Sequence, residues 1–129
     1  RDMKTILFSI LLLFSINGFA FNWKKVGGNP IGDSFYVDVD NIKKRNGIVY
    51  YWQLDDYLEP LDEGINSNIS KYRVNCVEET RTWLSETSYS LSMGKGRIIF
   101  EDPPNKIPRS IYPKPNTVAH IVMKLVCNY

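Results

Sequence analysis

The stretch FYVDVDNIKKRNGIVYYWQLDDY, residues 35–57, decides the fold of this chain. Its apolar residues recur at every second position on either side of a basic run, at Phe35, Val37 and Val39 and again at Ile48, Tyr50, Trp52 and Leu54. A period of two is typical of β-strands. Asn46 and Gly47 both tolerate a positive φ, which favours a tight hairpin turn. The stretch therefore predicts antiparallel strands joined at this turn.

The chain beyond this stretch carries further strand and loop signals. Three segments predict strands by alternation or by β-forming residues, namely 71–76 (KYRVNC), 80–91 (TRTWLSETSYSL) and 97–100 (RIIF). We therefore expect an antiparallel sheet of about five or six strands. Residues 60–70 are polar and interrupted by Gly and Pro, so we expect a loop there. Residues 102–115 contain five prolines and should form an irregular surface connector.

Residues 1–20 have the pattern of a secretory signal peptide. Lys4 provides the positive start, residues 6–16 form an apolar run, and small residues precede a cleavage site after Ala20. The run is shorter than the roughly 20 residues that a spanning helix needs. No cysteine follows it, so we expect neither a membrane span nor a lipid anchor. Arg1 and Asp2 are interpreted as an upstream extension, and residues 21–129 as one exported domain, periplasmic, secreted or at the cell surface.

The two cysteines connect the predicted sheet to a C-terminal helix. Val118, Ile121, Val122 and Leu125 are spaced as one apolar helix face, after a capping residue at Asn116 or Thr117. Because export places Cys76 and Cys127 in an oxidising compartment, we expect them to be paired. The bridge would hold the helix against the sheet face that carries Tyr72 and Val74, giving an α+β fold. The opposite face, with Lys71 and Arg73, should be wetter.

The composition excludes several classes of function. The chain has 129 residues, 43% of them hydrophobic and 23% charged, with a net charge of +2, which does not favour nucleic-acid binding. His120 is the only histidine, and no partner is spaced to make it a metal ligand or general base. The acidic stretch from Asp55 to Glu63 lacks calcium-loop spacing and is interpreted as solvated charge. We expect no catalytic residue, no metal and no cofactor, although haem ligation by His120 stays open.

A candidate binding face combines basic and aromatic residues. Exposed Tyr and Trp side chains favour protein recognition, although cross-strand pairing is the simpler explanation of aromatic residues in strands. The basic run at residues 43–45 is either an exposed hairpin or a docking point for an acidic partner. The face that we predict consists of Lys43, Lys44, Arg45, Tyr51, Lys71 and Arg73.

Several segments together resemble a known family. They are Trp23, residues 35–57, SKYRVNC at 70–76, YSLSMGKGR at 89–97 and NTVAHIVMKLVC at 116–127. The order of these segments and the two cysteines resemble the surface-adhesin protein E family of Gram-negative bacteria. The resemblance implies an antiparallel sheet with a C-terminal helix tethered by a disulfide. It also implies binding of host matrix proteins such as vitronectin and laminin, and it allows haem binding and a homodimer.

The sequence thus predicts a non-enzymatic, exported binding module. Its partner would be a host matrix protein or an envelope protein, recognised on the aromatic and basic sheet face. The alternative is a periplasmic accessory or inhibitor protein that inserts the hairpin at Lys43 or the proline-rich segment into a partner's cleft.

Overall fold

The computed structural model of the chain describes residues 20–102 and 109–129. These described residues form eight antiparallel strands and one α-helix. The strands are β1 (Trp23–Gly28), β2 (Ser34–Asp38), β3 (Lys43–Arg45), β4 (Ile48–Leu61), β5 (Ile65–Asn75), β6 (Thr80–Leu91), β7 (Lys95–Asp102) and β8 (Arg109–Ile111), and the helix is α1 (Val118–Cys127). The α+β prediction is confirmed, with eight strands rather than five or six. The predicted signal peptide lies outside the described residues, apart from Ala20.

The strands form one sheet in the order β1-β2-β4-β5-β6-β7. The long strand β4 pairs with β2 along one part of its length and with the short β3 along another. Strand β6 is shared in the same way between β7 and β8. The turn between β3 and β4 lies at Asn46 and Gly47, with φ of 52° and 78°, as their tolerance of positive φ predicts.

Helix α1 packs on one face of this sheet, against β1 and β4. Its buried residues Val122, Met123 and Val126 join sheet residues in the main core, namely Val37, Val49, Tyr51 and Val74. The side chain of Thr117 accepts a hydrogen bond from the amide of His120 and so caps the helix start. The predicted apolar face is wrong at Ile121, which is 48% exposed, because the buried stripe passes through Met123 instead.

The disulfide joins Cys76, just after β5, to Cys127 at the end of α1, with 5.8 Å between the Cα atoms. The Nζ atom of Lys44 lies 2.6 Å from the carbonyl oxygen of Cys127 and donates to it. A cation at a helix C-terminus interacts favourably with the free carbonyl groups there. The end of the helix is therefore held both by a covalent bond and by a lysine from β3.

The predicted loop at residues 60–70 is wrong, because β4 and β5 extend through it to a tight turn at Asp62–Gly64. Its polar side chains have partners elsewhere in the sheet. Asn66 donates to the carbonyl of Ser90, and Ser67 donates to the carbonyl of Leu91. These bonds satisfy the polar groups without an irregular loop.

The expected irregular connector at 102–115 is also wrong in part. Strand β8 lies within it and pairs with β6 through Ser110 and Thr82, whose hydroxyl oxygens are 2.6 Å apart. Strand β8 is free of proline, so its amides can pair with β6. Residues 103–108 are outside the described part of the chain.

A second, smaller core lies on the sheet face opposite α1. Leu54 and Ile69 are buried there, below the turn at Ser92–Gly94. The amide of Met93 donates to Asp56, and the amide of Gly94 donates to the hydroxyl of Ser67. These bonds fold the turn between β6 and β7 over one end of the face. The other end stays open, and it carries the candidate site.

Candidate functional site

Two aromatic side chains and a lysine form the centre of the open face. Tyr50 and Trp52 lie two residues apart on β4 and therefore point to the same side of the sheet. The Nζ atom of Lys71 lies 5.9 Å from the ring centroid of Tyr50 and 5.4 Å from that of Trp52. These distances are those of cation–π contacts. Tyr50 is 36% exposed, so its ring is accessible to a partner.

The strand register brings further cations to the same face. Trp52 pairs with Lys71, and Tyr50 pairs with Arg73 on β5 and with Lys43 on β3. Paired residues of antiparallel strands share a face. Arg45, paired with Ile48, follows on β3. We call this set the aromatic–basic surface: Lys43, Arg45, Tyr50, Trp52, Lys71 and Arg73.

The charge of the aromatic–basic surface is not neutralised by the residues that the structure describes. Within residues 20–102 and 109–129, Glu79 forms an ion pair with Lys124, at 3.4 Å, and its carboxylate lies 4.0 Å from the Nε2 atom of His120. Glu79 lies beside α1, next to the opposite face. None of the four cations of the surface has a carboxylate from this part of the chain within 4.0 Å. The surface therefore presents a local positive field.

A shallow depression of about 440 Å³ lies within this surface. Its lining includes Asn41, Lys43, Tyr50, Trp52 and Lys71. An open depression with aromatic walls and cationic edges has the size of a site for one or two side chains of a partner. The combination of aromatic anchors with a basic rim is typical of protein-recognition sites.

Further aromatic residues extend the surface towards β1. The ring of Phe21 stacks on that of Trp23, with centroids 4.6 Å apart, and meets the ring of Trp52 edge-on at 5.9 Å. Below them, the buried carboxylate of Asp38 accepts hydrogen bonds from the amides of Asn22 and Asp40 and from the Asn41 side chain. This carboxylate fixes the turn that places Asn41 and β3 beside Tyr50.

The structure brings together four of the six residues that the sequence predicted for a binding face, Lys43, Arg45, Lys71 and Arg73. Lys44 and Tyr51 are not placed on this face by the strand register. Lys44 pairs with Val49 and points to the helix side, where it binds the carbonyl of Cys127. Tyr51 is fully buried in the core below α1. Each lies one position along its strand from a residue of the aromatic–basic surface, so its side chain points to the opposite face of the sheet. The binding role of the other four stays a prediction.

Tyr50 and Trp52 are the residues that the sequence prediction missed. Their period of two with Ile48 placed them together, but it did not show which side of β4 faces the helix. The hairpin register contains that information. Asn46 and Gly47 pair Ile48 with Arg45, which sets Tyr50 opposite Lys43 and on the basic side.

Two residues of the acidic stretch, Asp55 and Asp56, have partners in the fold, whereas Glu59, Asp62 and Glu63 are exposed, as predicted for solvated charge. Asp55 accepts a 2.8 Å hydrogen bond from the side chain of Gln53, and burial raises the pKa of its carboxyl. Asp56 accepts from Met93 in the turn that closes the second core. No group of three His, Cys, Asp or Glu side chains in the described residues is arranged to hold a metal ion.

The fold and this surface define a small α+β domain with a disulfide-tethered helix on one side of its sheet and an aromatic, basic face on the other. The family model described as surface-adhesin protein E matches residues 23–128. The chain belongs to this family. In the described residues, no helix has the length and apolar character needed to cross a membrane.

Three solved structures of Haemophilus influenzae protein E are similar to this chain, each with 17% sequence identity. Crystal form II has a TM-score of 0.61 and covers 86% of this chain and 91% of its own. The selenomethionine form has a TM-score of 0.62 and coverages of 86% and 89%. Protein E from a non-typeable strain has a TM-score of 0.56 and coverages of 87% and 79%. At this identity the likeness shows the fold. No protein with a curated description matches the chain significantly.

Proposed function

We propose that this protein is a non-enzymatic, exported binding module that captures an acidic segment of a partner protein on the aromatic–basic surface. The observation that carries the proposal is the pair of the exposed Tyr50 and the half-buried Trp52 on an open sheet face, surrounded by four cations that lack carboxylate partners in the described chain. Membership of the surface-adhesin protein E family supports a role at the cell surface. The partner is then a host matrix protein or an envelope protein.

The physical basis of binding would be aromatic burial combined with charge complementarity. Tyr and Trp bury large areas at low cost in conformational entropy, and they are common among the residues that dominate interface energies. The cations would accelerate association with an acidic segment and set its orientation. This combination predicts binding that weakens as the salt concentration rises, because exposed charges are screened.

A binding assay with two variants tests the proposal. Purified protein is measured against immobilised vitronectin, laminin and an envelope extract at low and high salt. Trp52→Ala should reduce capture by at least about tenfold, which is the usual loss at an aromatic hot spot. Lys71→Glu should slow association. Lys95→Glu, a charge change of the same kind on exposed β7, serves as the control and should bind normally.

The result also separates this proposal from its alternative. Capture that is equal in all variants would contradict the aromatic–basic surface as the binding site. Cell fractionation with surface protease digestion then locates the protein. A protein found only in the periplasm would exclude host adhesion and favour an accessory protein or inhibitor of an envelope partner.

A further inference from the structure

Arg81 of β6 lies on the helix side of the sheet, on the face opposite the aromatic–basic surface. It pairs with Val74 on β5 and with Ile111 on β8, and it is only 9% exposed. Its Nη1 atom donates two long hydrogen bonds, each 3.3 Å, to the hydroxyl of Tyr51 and the side-chain oxygen of Gln53. Its Nε atom is buried and has no hydrogen-bond partner among residues 20–102 and 109–129.

This guanidinium also forms no salt bridge within the described residues, although the charge of Asp55 acts on it at longer range. No carboxylate there lies within 4.0 Å of it. The nearby Asp55 is bound instead to the amide nitrogen of Gln53. The ring of Tyr72 lies 4.0 Å from the guanidinium carbon and supplies a stacked aromatic surface. A buried charge is normally paired, and a buried donor without a partner costs about 1–3 kcal/mol. Arg81 therefore has an unused binding capacity.

A cleft of about 140 Å³ lies beside Arg81. Its lining consists of Tyr72, Arg81, Trp83, Arg109 and Ile111. The described part of the lining thus has two arginines, two aromatic rings and one aliphatic side chain, and no acidic residue. Arg109 is brought to this place by the pairing of β8 with β6, opposite Trp83. The two cations come from positions 28 residues apart in the sequence.

We infer that this cleft binds the carboxylate of a small ligand, with Arg81 as the buried anchor and Arg109 as the outer cation. A guanidinium can donate two parallel hydrogen bonds to a carboxylate, and Arg81 lines the cleft. The aromatic and aliphatic walls fit the apolar stem that a carboxylate carries. The ligand is either a small aromatic acid or the free carboxyl end of a peptide.

The lining of the cleft favours a carboxylate over phosphate. Three of the five lining side chains are apolar or aromatic, whereas a phosphate dianion needs donors on most sides. A singly charged group with an apolar stem is satisfied by the donors and walls that are present.

The test is a titration of the protein with benzoate, in which binding is monitored by NMR. The signals to follow are the Arg81 Nε–H and the Trp83 indole N–H in the full-length exported protein. Saturable shifts of both signals are expected with benzoate, and none with benzamide, which has the same shape without the charge. Acetyl-Ala-Phe with a free carboxyl end, compared with its amide, then distinguishes the two sources of the carboxylate. Tighter binding of this peptide than of benzoate identifies a peptide end as the ligand, and weaker binding identifies a small acid.

Variants make the test specific to the cleft. Arg109→Gln, at an exposed position that should not disturb folding, is expected to weaken benzoate binding by roughly tenfold, the effect of losing one charge-assisted hydrogen bond. Arg97→Gln, on exposed β7, is the matched control and should bind normally. Lys71→Glu should also leave benzoate binding unchanged, because Lys71 lies on the other face. This separates failure of the cleft from failure of the aromatic–basic surface.

Three results would overturn the inference. Equal binding of benzamide would show that charge is not recognised, and unchanged affinity in Arg109→Gln would remove the cleft as the site. Tighter binding of inorganic phosphate than of benzoate would show that the site is built for a different anion.

Discussion

Removal of the disulfide between Cys76 and Cys127 should lower the free energy of unfolding by an amount that can be calculated from the sequence separation of the two cysteines. The two residues are separated by 51 positions in the sequence, so the bond closes a long loop in the unfolded chain. The loop-closure entropy of such a bridge corresponds to about 4 kcal/mol at 25 °C. For a domain of this size, a loss of this magnitude lowers Tm by roughly 15 °C. The matched variant is Cys76→Ala with Cys127→Ala, which adds no polar group to the half-buried site.

The assay combines urea and thermal unfolding with hydrogen exchange. If the bond acts through the unfolded chain, amides of α1 and of β4 that exchange by global unfolding should accelerate by the same factor, about 10³ for 4 kcal/mol. Faster exchange in α1 alone would instead mean that the bond mainly keeps the helix docked. A loss of stability below about 1 kcal/mol would refute the reasoning. It would show that packing of the helix already determines the stability.

Three further predictions concern the fold. Burial raises the pKa of Asp55 above its ordinary value of 3.8, so the ionised carboxylate destabilises the folded protein at neutral pH. Asp55→Asn should therefore be more stable than wild type at pH 7 in urea unfolding. The difference in the free energy of unfolding should vanish as the pH falls towards 3.8. Gly94→Ala should lower stability by about 1–3 kcal/mol, because a Cβ would lie 2.6 Å from the side chain of Ile69 and because the φ of this residue is +69°. An unchanged Tm would contradict the close packing of this turn. Thr117→Ala should cost about 1 kcal/mol by removing the helix cap, whereas Thr117→Ser should not.

The parts of the fold that depend on local residues could be predicted from the sequence. The turn at Asn46 and Gly47 needs only two residues that accept positive φ, and β6 was predicted with its observed limits, Thr80 and Leu91. The helix start at Thr117 follows from a cap and an apolar spacing. In each case the deciding interaction lies within a few residues of the chain.

The segment at residues 60–70 shows why other parts could not be predicted. Asn66 and Ser67 are typical loop residues, but their side chains bind the carbonyls of Ser90 and Leu91, 24 residues away. Local composition contains no sign of these partners. Non-local hydrogen bonds therefore override the loop preference of the segment.

The binding face illustrates a different difficulty. The sequence prediction included all four cations that the structure places on the aromatic–basic surface, yet it selected Tyr51 in place of Tyr50. A change of one position exchanges the two faces of a strand. Which face is covered by α1 depends on how the helix docks, and the alternation in β4 is nearly symmetric in apolar character, with Val49 and Tyr51 on one side and Tyr50 and Trp52 on the other.

The separation of the two faces along β4 has a consequence for how this protein can change over evolutionary time. Neighbouring residues of the strand contribute to different surfaces, so Tyr50 and Trp52 can be replaced without altering the packing around Val49 and Tyr51. Under the proposed function, binding specificity can then diverge while the tethered helix and its core stay constant. Such a scaffold is suited to engineering as well, because a library restricted to the exposed positions of β3, β4 and β5 would sample new partners on an unchanged fold.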